Sequence, residues 1–238
     1  MIVDAVIPAL DEAESIGAVL DSLPRAFLRR LVVCDNGSRD GTADVARAHG
    51  ALVVPEPRRG YGSACLRALA ALREDPPDAV LFLDADGSDD PADLPSLLRP
   101  IAEGRADLVI GSRALGEREP GALTPQARFG NALATALIRA FYGARWTDLG
   151  PFRAVRWEAL ERLGMRDPDF GWTVEMQVKA ARAGLRGVEV PVRYRRRIGR
   201  SKIAGTLSGA VGAGVKILGT IALDLLRHGP PKRRGGAP

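Results

Sequence analysis

Cysteine and histidine are scarce in this sequence, and their scarcity excludes several kinds of site. The 238 residues include two cysteines, Cys34 and Cys65, and two histidines, His49 and His228. Two cysteines cannot build a disulfide framework, and so few ligands cannot form a Cys/His metal centre. The sequence therefore predicts a protein of a reducing compartment whose chemistry depends on other side chains.

A basic leader and a long apolar run are missing from the N-terminus. The opening MIVDAVIPAL carries an aspartate at position 4 and lacks both features of a signal peptide. We therefore expect a cytoplasmic protein. Lysine is also rare, with four residues, and the formal net charge of +5 comes mostly from arginine. Such a charge does not by itself indicate nucleic acid binding, and we expect no nucleic acid partner.

Short apolar runs alternate with helical patterns through the first half of the chain. The hydrophobic content of 46% is enough for a sizeable core. Strands that alternate with helices predict an α/β fold with a mainly parallel sheet, whose ligands bind beyond the carboxyl ends of the strands. The predicted strands are 2–7, 31–34, 51–54, 79–83 and 108–110, and the predicted helices are 12–23, 42–49, 60–73 and 91–101.

The second half begins with a break rich in glycine, proline and charge at residues 113–123, which predicts a flexible loop that could close over a substrate. Residues 125–141 then read as a helix, because Phe129, Leu133, Leu137 and Phe141 recur every fourth position. No linker interrupts the rest. Its predicted elements are strands at 152–155 and 187–192 and helices at 157–163 and 173–183.

Polar residues follow two of the predicted strands. Asp84 and Asp86 alternate around Ala85 after a buried strand, so their carboxylates can converge on one hard divalent cation completed by water and phosphate oxygens. The alternative is a solvated acidic turn that begins the next helix, and we adopt that interpretation for Asp89, Asp90 and Asp93. Asp35 and Asn36 stand at the tip of an earlier strand, where capping of the next helix does not explain them.

Five segments of the first half together resemble glycosyltransferase family 2, which has the GT-A fold. They are IPALDEAESI (7–16), VVCDNGSRDGT (32–42), RRGYGSA (58–64), LDADGSDDP (83–91) and IGSR (110–113). The resemblance implies a Rossmann-like sheet flanked by helices and a nucleoside diphosphate sugar as donor, either UDP- or GDP-linked. It also implies Mg²⁺ or Mn²⁺ on Asp84 and Asp86, where the ion acts as a Lewis acid on the leaving diphosphate. The implied donor-binding residues are Pro8, Ala9, Leu10, Glu12, Asp35, Asn36, Gly60, Asp84, Ala85 and Asp86, although Asn36 replaces an acid that is common at its position.

The second half resembles a narrower branch, the dolichol-phosphate mannose synthases and polyprenyl-phosphate glycosyltransferases. The similar segments are TDLGPFRAVR (147–156), in which Pro151 replaces a usual glycine, GWTVEMQVKA (171–180) and RRRIGRSKIAGT (195–206). The resemblance implies transfer to a polyprenyl phosphate with inversion at the sugar, and Asp86, Asp148, Arg113 and Lys202 as the catalytic group. The residues that could hold the acceptor are the cations Arg113, Arg128, Arg153, Arg195, Arg197 and Lys202, together with the hydroxyl of Ser201.

Three interpretations of the function stay open at this point. A phosphate acceptor arrives ionised and needs cations, whereas a soluble hydroxyl acceptor needs a base, for which Asp148 is the best candidate. A nucleotide-sugar-binding protein without activity is the third. We expect residues 1–202 to form one GT-A domain, with a donor half at 1–112 and an acceptor half at 113–202.

The C-terminal stretch 207–226 has the length of a membrane span, but it contains four glycines, Lys216 and Asp224. A charge near the middle of a span costs about 2.5–3.5 kcal/mol, so we expect no span. Residues 203–228 instead predict an amphipathic helix with Leu207, Val211, Leu218, Ala222 and Leu225 on one face. Such a helix can pack on the domain, form a homo-oligomer, or lie on an anionic cytoplasmic membrane face between basic segments. Residues 229–238 predict a disordered tail.

Overall fold

The core of the protein is one seven-stranded sheet. The computed structural model describes residues 1–199 and 207–230. The strands are β1 (Val3–Ala9), β2 (Arg30–Asp35), β3 (Leu52–Pro55), β4 (Ala79–Phe82), β5 (Leu108–Ser112), β6 (Arg153–Arg156) and β7 (Gly187–Pro191). Their order in the sheet is β3-β2-β1-β4-β6-β5-β7.

The direction of the strands confirms the mainly parallel α/β sheet. β1 pairs in parallel with β2 and β4, β2 with β3, and β5 with β7. β6 is the exception, because it runs antiparallel between β4 and β5. The carboxyl ends of β1, β2 and β4 therefore meet at one edge, which is where the sequence places the polar residues.

Helices cover both faces of the sheet. They are α1 (Ile16–Ser22), α2 (Thr42–Ala48), α3 (Tyr61–Leu72), α4 (Leu94–Ala102), α5 (Pro125–Tyr142), α6 (Trp157–Leu163), α7 (Trp172–Ala183) and α8 (Leu207–His228). The alternation of side chains along β1 separates the two core layers. Ile7 packs with α1 and α4 on one side, and Val6 packs with α3 and α7 on the other.

The structure shortens the first predicted helix and splits another. α1 begins at Ile16 rather than at residue 12, because Glu12 O accepts hydrogen bonds from Ser15 N and Ile16 N in a turn that leads into the helix. The predicted helix 91–101 begins as a 3₁₀ turn at Pro91–Asp93 and continues as α4. The Asp90 side chain caps that turn by accepting a hydrogen bond from Ala92 N at 3.1 Å.

α5 forms where the sequence predicts it. Thr124 caps its first turn by accepting a hydrogen bond from Ala127 N at 3.2 Å, and Gly143 ends it at a φ of 71°. Phe129 and Phe141 are 70% and 46% exposed, and Leu133 is also exposed. The apolar series therefore predicted the helix correctly, while the buried residues of α5 are Ala134, Thr135, Ile138 and Tyr142.

The C-terminal helix is confirmed as a helix, and it packs on α5 and α7. Ile221 is buried among them, and the Tyr142 hydroxyl donates to Asp224 Oδ2 at 2.6 Å. Of the predicted apolar face, Leu225 packs against this cluster, whereas Leu218 is 38% exposed, so the inner face of α8 matches the predicted one only in part. Among the described residues no helix has the length and hydropathy that a membrane span requires.

Candidate active site

A cavity of about 290 Å³ opens at the carboxyl ends of β1 and β4. We call it the strand-end cavity. Asp35 does not line it; at the tip of β2 its Oδ1 accepts a hydrogen bond from Ser38 N at 3.1 Å. The other predicted donor-binding residues line this one cavity, and they are Pro8, Ala9, Leu10, Glu12, Asn36, Gly60, Asp84, Ala85 and Asp86.

Asn36 shapes the strand-end cavity through its amide group. Its Nδ2 donates to Glu56 O at 3.0 Å and to Arg58 O at 2.7 Å, while its Oδ1 accepts from Gly60 N at 2.8 Å. A carboxylate could accept the last of these bonds but could not donate the other two. The amide at this position therefore ties the segment before α3 to the end of β2.

The carboxylates after β4 are crowded and poorly compensated. Asp86 Oδ1 accepts from Ser88 N at 2.9 Å and from Ser88 Oγ at 2.6 Å. Asp84 Oδ1 is buried and has no hydrogen-bond partner. Burial and the neighbouring charge of Asp86 raise the pKa of Asp84 to about 7.

Asp89 and Asp90 are not the solvated turn that the sequence predicts, since each is 3% exposed. Burial and then the charge of Asp84 raise the pKa of Asp89 well above its ordinary value, and its Oδ1 also lacks a partner. Asp90 instead pairs with Arg195 at 2.6 Å. The acidic segment thus folds inward, where Tyr194 bridges to Asp89 and Arg195 pairs with Asp90.

The two carboxylates of Asp84 and Asp86 fit a divalent cation that also takes phosphate oxygens. Within residues 1–199 and 207–230 no group of three His, Cys, Asp or Glu side chains is arranged to hold a metal ion. An ion at Asp84 and Asp86 would therefore depend on ligands from a diphosphate and water, as Mg²⁺ commonly does. The partnerless Asp84 Oδ1 is the oxygen that such an ion would satisfy.

Five residues of the strand-end cavity were missed as site residues, and two of them are Arg59 and Ala64. Tyr61, Asp169 and Phe170 line it from α3 and from the turn before α7. Gly60 permits this approach, because a Cβ there would lie 2.7 Å from Asp169 Oδ1 and the φ of 139° disfavours other residues. The segment RRGYGSA signals Tyr61, but nothing in the sequence marks Asp169 or Phe170.

A second cavity of about 290 Å³ adjoins the first and is walled by helices. It shares Tyr61, Asp84 and Phe170 with the strand-end cavity, so the two cavities meet at Asp84. We call it the helix-walled cavity. Its lining is mostly apolar, and it includes Ala127, Gly130 and Asn131 from α5, Gly214 and Ile217 from α8, and Leu149 from the loop before β6.

Arg113 brings a positive charge into the helix-walled cavity, and Asp148 holds it there. Arg113 Nε donates to Asp148 Oδ2 at 2.8 Å, and its NH2 donates to Asp148 Oδ1 at 2.7 Å. Although burial opposes it, this pairing raises the pKa of Arg113 above its ordinary value. The guanidinium also lies 5.1 Å from the centre of the Tyr194 ring, and Gln177 Nε2 anchors Asp148 O at 2.9 Å. Both oxygens of Asp148 are therefore engaged.

A third cavity, of about 800 Å³, lies on the other side of Arg113. We call it the arginine cavity, since Arg118, Arg128 and Arg139 line it as well. Arg128 and Arg139 have no ion pair with a carboxylate of the described residues. The predicted acceptor residue Arg128 is thus close to Arg113, in a strongly basic concavity.

Three of the other predicted acceptor residues, Arg153, Arg195 and Arg197, belong to the described part of the chain, and none of them lines a cavity with Arg113 and Arg128. Arg153 is fully buried, where it donates to Leu149 O at 2.9 Å and to Thr173 O at 3.1 Å, and burial lowers its pKa to about 10. Arg153 therefore supports the loop before β6 and does not face an acceptor. Arg195 pairs with Asp90, and Arg197 lies in the strand-end cavity. Ser201 and Lys202 lie outside the described residues.

Comparison with known proteins gives a family match, related sequences and a similar solved structure. The chain matches Glycosyl transferase family 2 over residues 4–164. It is 42% identical over 212 residues to an uncharacterised glycosyltransferase of Mycobacterium tuberculosis, covering 88% of this chain and 93% of that protein. It is 32% identical over 223 residues to the undecaprenyl-phosphate mannosyltransferase of Micrococcus luteus, covering 86% and 88%.

A solved structure shares the fold. Glucosyl-3-phosphoglycerate synthase of Mycobacterium tuberculosis, in complex with Mn²⁺, UDP-glucose and phosphoglyceric acid, superposes with a TM-score of 0.74 at 25% identity. The match covers 99% of this chain and 82% of that one. The GT-A resemblance is therefore confirmed, and the chain belongs to glycosyltransferase family 2.

Proposed function

We propose that the protein transfers a sugar from a nucleoside diphosphate sugar to a polyprenyl phosphate, with Mg²⁺ or Mn²⁺, at the cytoplasmic face of a membrane. One observation carries the proposal. The cavity that adjoins Asp84 combines one fixed cation, Arg113, with apolar walls from α5 and α8. A phosphate attached to a long apolar chain has those two needs.

The strand-end cavity would take the donor. Pro8, Leu10 and Asn36 lie at the carboxyl ends of β1 and β2, where the family resemblance places the base and ribose. Asp84 and Asp86 would then hold the divalent ion, which supplies positive charge to the diphosphate as it leaves. The sugar would lie toward Tyr61 and Phe170, because these residues belong to both cavities.

The transfer needs no general base if the acceptor is a phosphate. A phosphate oxygen attacks the anomeric carbon of the sugar, and the bond from that carbon to the diphosphate breaks with its electron pair on the nucleoside diphosphate. Attack opposite the leaving group inverts the anomeric carbon. Arg113 would bind the acceptor phosphate, and Asp148 would fix the guanidinium in position, a geometry that a bidentate pair provides.

The outer surface beside the helix-walled cavity suits a lipid bilayer. α5 exposes Phe129, and α8 exposes Val215 and Leu226, which are 66% and 83% exposed. Arg128 and Arg139, which have no ion pair within the described residues, line the arginine cavity together with Phe129. Apolar side chains beside arginines are typical of proteins that lie on anionic membranes. A polyprenyl chain leaving the cavity could pass directly into such a membrane.

A soluble phosphorylated acceptor is the second candidate, and the arginine cavity favours it. A small polyanion could bind Arg118, Arg128 and Arg139 beside Arg113, and a phosphoglycerate is the acceptor named for the structural neighbour. A neutral hydroxyl acceptor with Asp148 as base has less support, since Arg113 engages both Asp148 oxygens. Sequence relatedness to a polyprenyl-phosphate enzyme, at 32% identity, favours the lipid acceptor over the soluble one.

The deciding experiment offers the purified protein radiolabelled UDP- and GDP-sugars with Mn²⁺, and either a polyprenyl phosphate in detergent or 3-phosphoglycerate. Label is counted in the organic and aqueous phases, with EDTA as the metal control. We expect EDTA-sensitive label in the organic phase. Label on 3-phosphoglycerate alone would replace the lipid acceptor, and donor binding without transfer to either would favour a binding protein.

Arg113→Met and Arg73→Met make a matched pair for this assay. Arg113→Met removes the proposed phosphate ligand and should abolish transfer while the donor still binds. Arg73→Met removes the same charge from an exposed pair with Glu161, remote from the cavities. A lipid assay in which the two variants behave alike would contradict the proposed role of Arg113.

A further inference from the structure

An arginine lies in the strand-end cavity where the site fits a cation. The Arg197 guanidinium is 2.8 Å from Glu12 Oε1 and 3.3 Å from Asp86 Oδ2. In the part of the chain that the structure describes, no other ion pair reaches the carboxylate of Asp84 or Asp86. Arg197 therefore supplies the positive charge that directly contacts the acidic pair.

The segment that carries Arg197 is fastened to the acidic loop by its backbone. Arg195 N donates to Ser88 O at 2.8 Å, and Ile198 N donates to Asp86 O at 2.8 Å. We call residues 193–199 the strap. Because the strap bonds both the backbone and the side chain of Asp86, a change at the Asp86 carboxylate acts directly on the strap.

The contact leaves several polar atoms unsatisfied. Arg197 Nε is buried without a partner, and so are Asp84 Oδ1 and Asp89 Oδ1. Buried polar atoms without partners are costly, and one guanidinium cannot reach all of these oxygens. A divalent ion with a diphosphate would compensate the Asp84–Asp86 pair better than Arg197 does, so the arrangement is suited to exchange.

We propose that Arg197 occupies the cation position of the resting enzyme and that it exchanges with the divalent ion at Asp86. Asp86 Oδ2 cannot hold both without placing two positive charges side by side. Binding of the ion therefore removes Arg197 from Asp86 and loosens the strap. The exchange opposes loading of the metal alone, because a free ion must displace Arg197 without the extra ligands of the diphosphate.

The first test measures Mn²⁺ affinity without nucleotide, from the electron paramagnetic resonance signal of the free ion. Arg197→Met is compared with Arg196→Met, which removes the same charge from the same strap. Arg196 lies away from the acidic pair, where its Nε donates to Pro120 O at 2.7 Å. We expect Arg197→Met to bind Mn²⁺ about tenfold more tightly than Arg196→Met. Equal or weaker affinity would overturn the exchange.

A second test needs no variant. Hydrogen exchange of the peptide covering 193–199 is followed by mass spectrometry in the wild-type protein, alone and with Mn²⁺ plus UDP or GDP. We expect faster exchange with Mn²⁺ and the nucleotide that binds, since Ile198 N loses its acceptor at Asp86 O when the strap loosens. Unchanged or slower exchange would show that the strap stays in place. Neither test contains an acceptor, so neither depends on which acceptor is used.

Discussion

The strand-end cavity and the helix-walled cavity meet at Asp84 and are built on different principles. The residues of the strand-end cavity are positioned by the backbone at the ends of strands. The central strand, β1, is held by β2 on one side and by β4 on the other. The helix-walled cavity depends on how α5 and α8 rotate and pack on α7. A site at strand ends can be read from short motifs, whereas a site between helices depends on contacts between distant segments.

The difference also appears in the charges. Acidic side chains dominate the strand-end cavity. Arg113 supplies the positive charge of the helix-walled cavity, and Arg128 adds to it in the adjoining arginine cavity; we call these two cavities the helical side. A donor that brings a metal ion needs acidic side chains, and an anionic acceptor needs arginines. The boundary at Tyr61 and Phe170 therefore separates two electrostatic environments within one active site.

The largest effect should follow from Asp86→Asn. Removal of one carboxylate from the acidic pair weakens the hold on the metal at the diphosphate, and we expect a loss of about 10³-fold in kcat/KM. Sugar transfer is measured across a range of Mn²⁺ concentrations. Asp93→Asn serves as the control, because Asp93 pairs with the partly exposed Arg193 outside the cavity. A similar loss in both variants would mean that the acidic pair has no special role.

Asp148→Asn tests the helical side, and its effect should be the next largest. The amide can no longer pair with the Arg113 guanidinium as a carboxylate does, and we expect a loss of about 10²-fold in transfer to polyprenyl phosphate. Donor affinity, measured by calorimetry, should stay at the wild-type value. If transfer to the phosphate acceptor is unchanged while transfer to a hydroxyl acceptor disappears, Asp148 is a base and its proposed positioning role is wrong.

Asp4→Asn tests the sheet that both cavities share. Asp4 is fully buried and pairs with Arg29 at 2.7 Å and with Arg30 at 2.6 Å. We expect a loss of about 2 kcal/mol in the free energy of unfolding, less than for a fully buried pair because both arginines are partly exposed. Chemical denaturation measures it, and Asp44→Asn, at an exposed pair, is the control.

The effect of Asp4 depends on pH in a definite direction. Burial alone would raise its pKa, but the hydrogen bonds from Arg29 and Arg30 outweigh it and lower the folded-state pKa below 3.8. Asp4 therefore stabilises the fold above about pH 4, and this contribution is lost as the pH falls through the folded-state value. The difference between wild type and Asp4→Asn should be full at pH 7 and vanish in acid. A difference that grows in acid would contradict the pairing.

Val215→Glu and Leu226→Glu should produce the smallest change. Each places a charge on an exposed apolar position of α8, away from the cavity lining, and we expect about tenfold weaker binding to anionic vesicles. Cosedimentation measures the binding, with neutral vesicles as the reference. Donor affinity should not change. Unaltered vesicle binding would indicate that this face of α8 does not contact the membrane.

Much of the strand-end cavity could be predicted from the sequence. Glu12, Asn36 and Asp86 stand in local motifs, and the positions of β1, β2 and β4 follow from apolar runs. The burial of Asp89 and Asp90 could not be predicted, because their partners Tyr194 and Arg195 lie far along the chain. Local sequence looked like a solvated turn, and long-range pairing made it part of the interior.

The helical side was harder to predict for a physical reason. A fourfold apolar spacing indicates a helix but does not say which face is covered when several faces are apolar. In α5 the smaller Ala134 and Ile138 pack inward, and Phe129 remains outside. Arg153 resembled a free cation, yet its neighbours supply backbone carbonyls that bind it in the interior.

The position of β6 has a consequence for how the chain folds. Arg153–Arg156 lies between Ala79–Phe82 and Leu108–Ser112, so β4 and β5 have no direct contact in the sheet. During synthesis β1 to β4 can pair as they leave the ribosome, but β5 must wait until β6 has emerged. A fragment that ends after β5 would therefore leave buried strand edges open to aggregation. Residues 1–112 alone would therefore not make an independent folding unit, and the strand-end cavity also takes Asp169, Phe170 and Arg197 from beyond them.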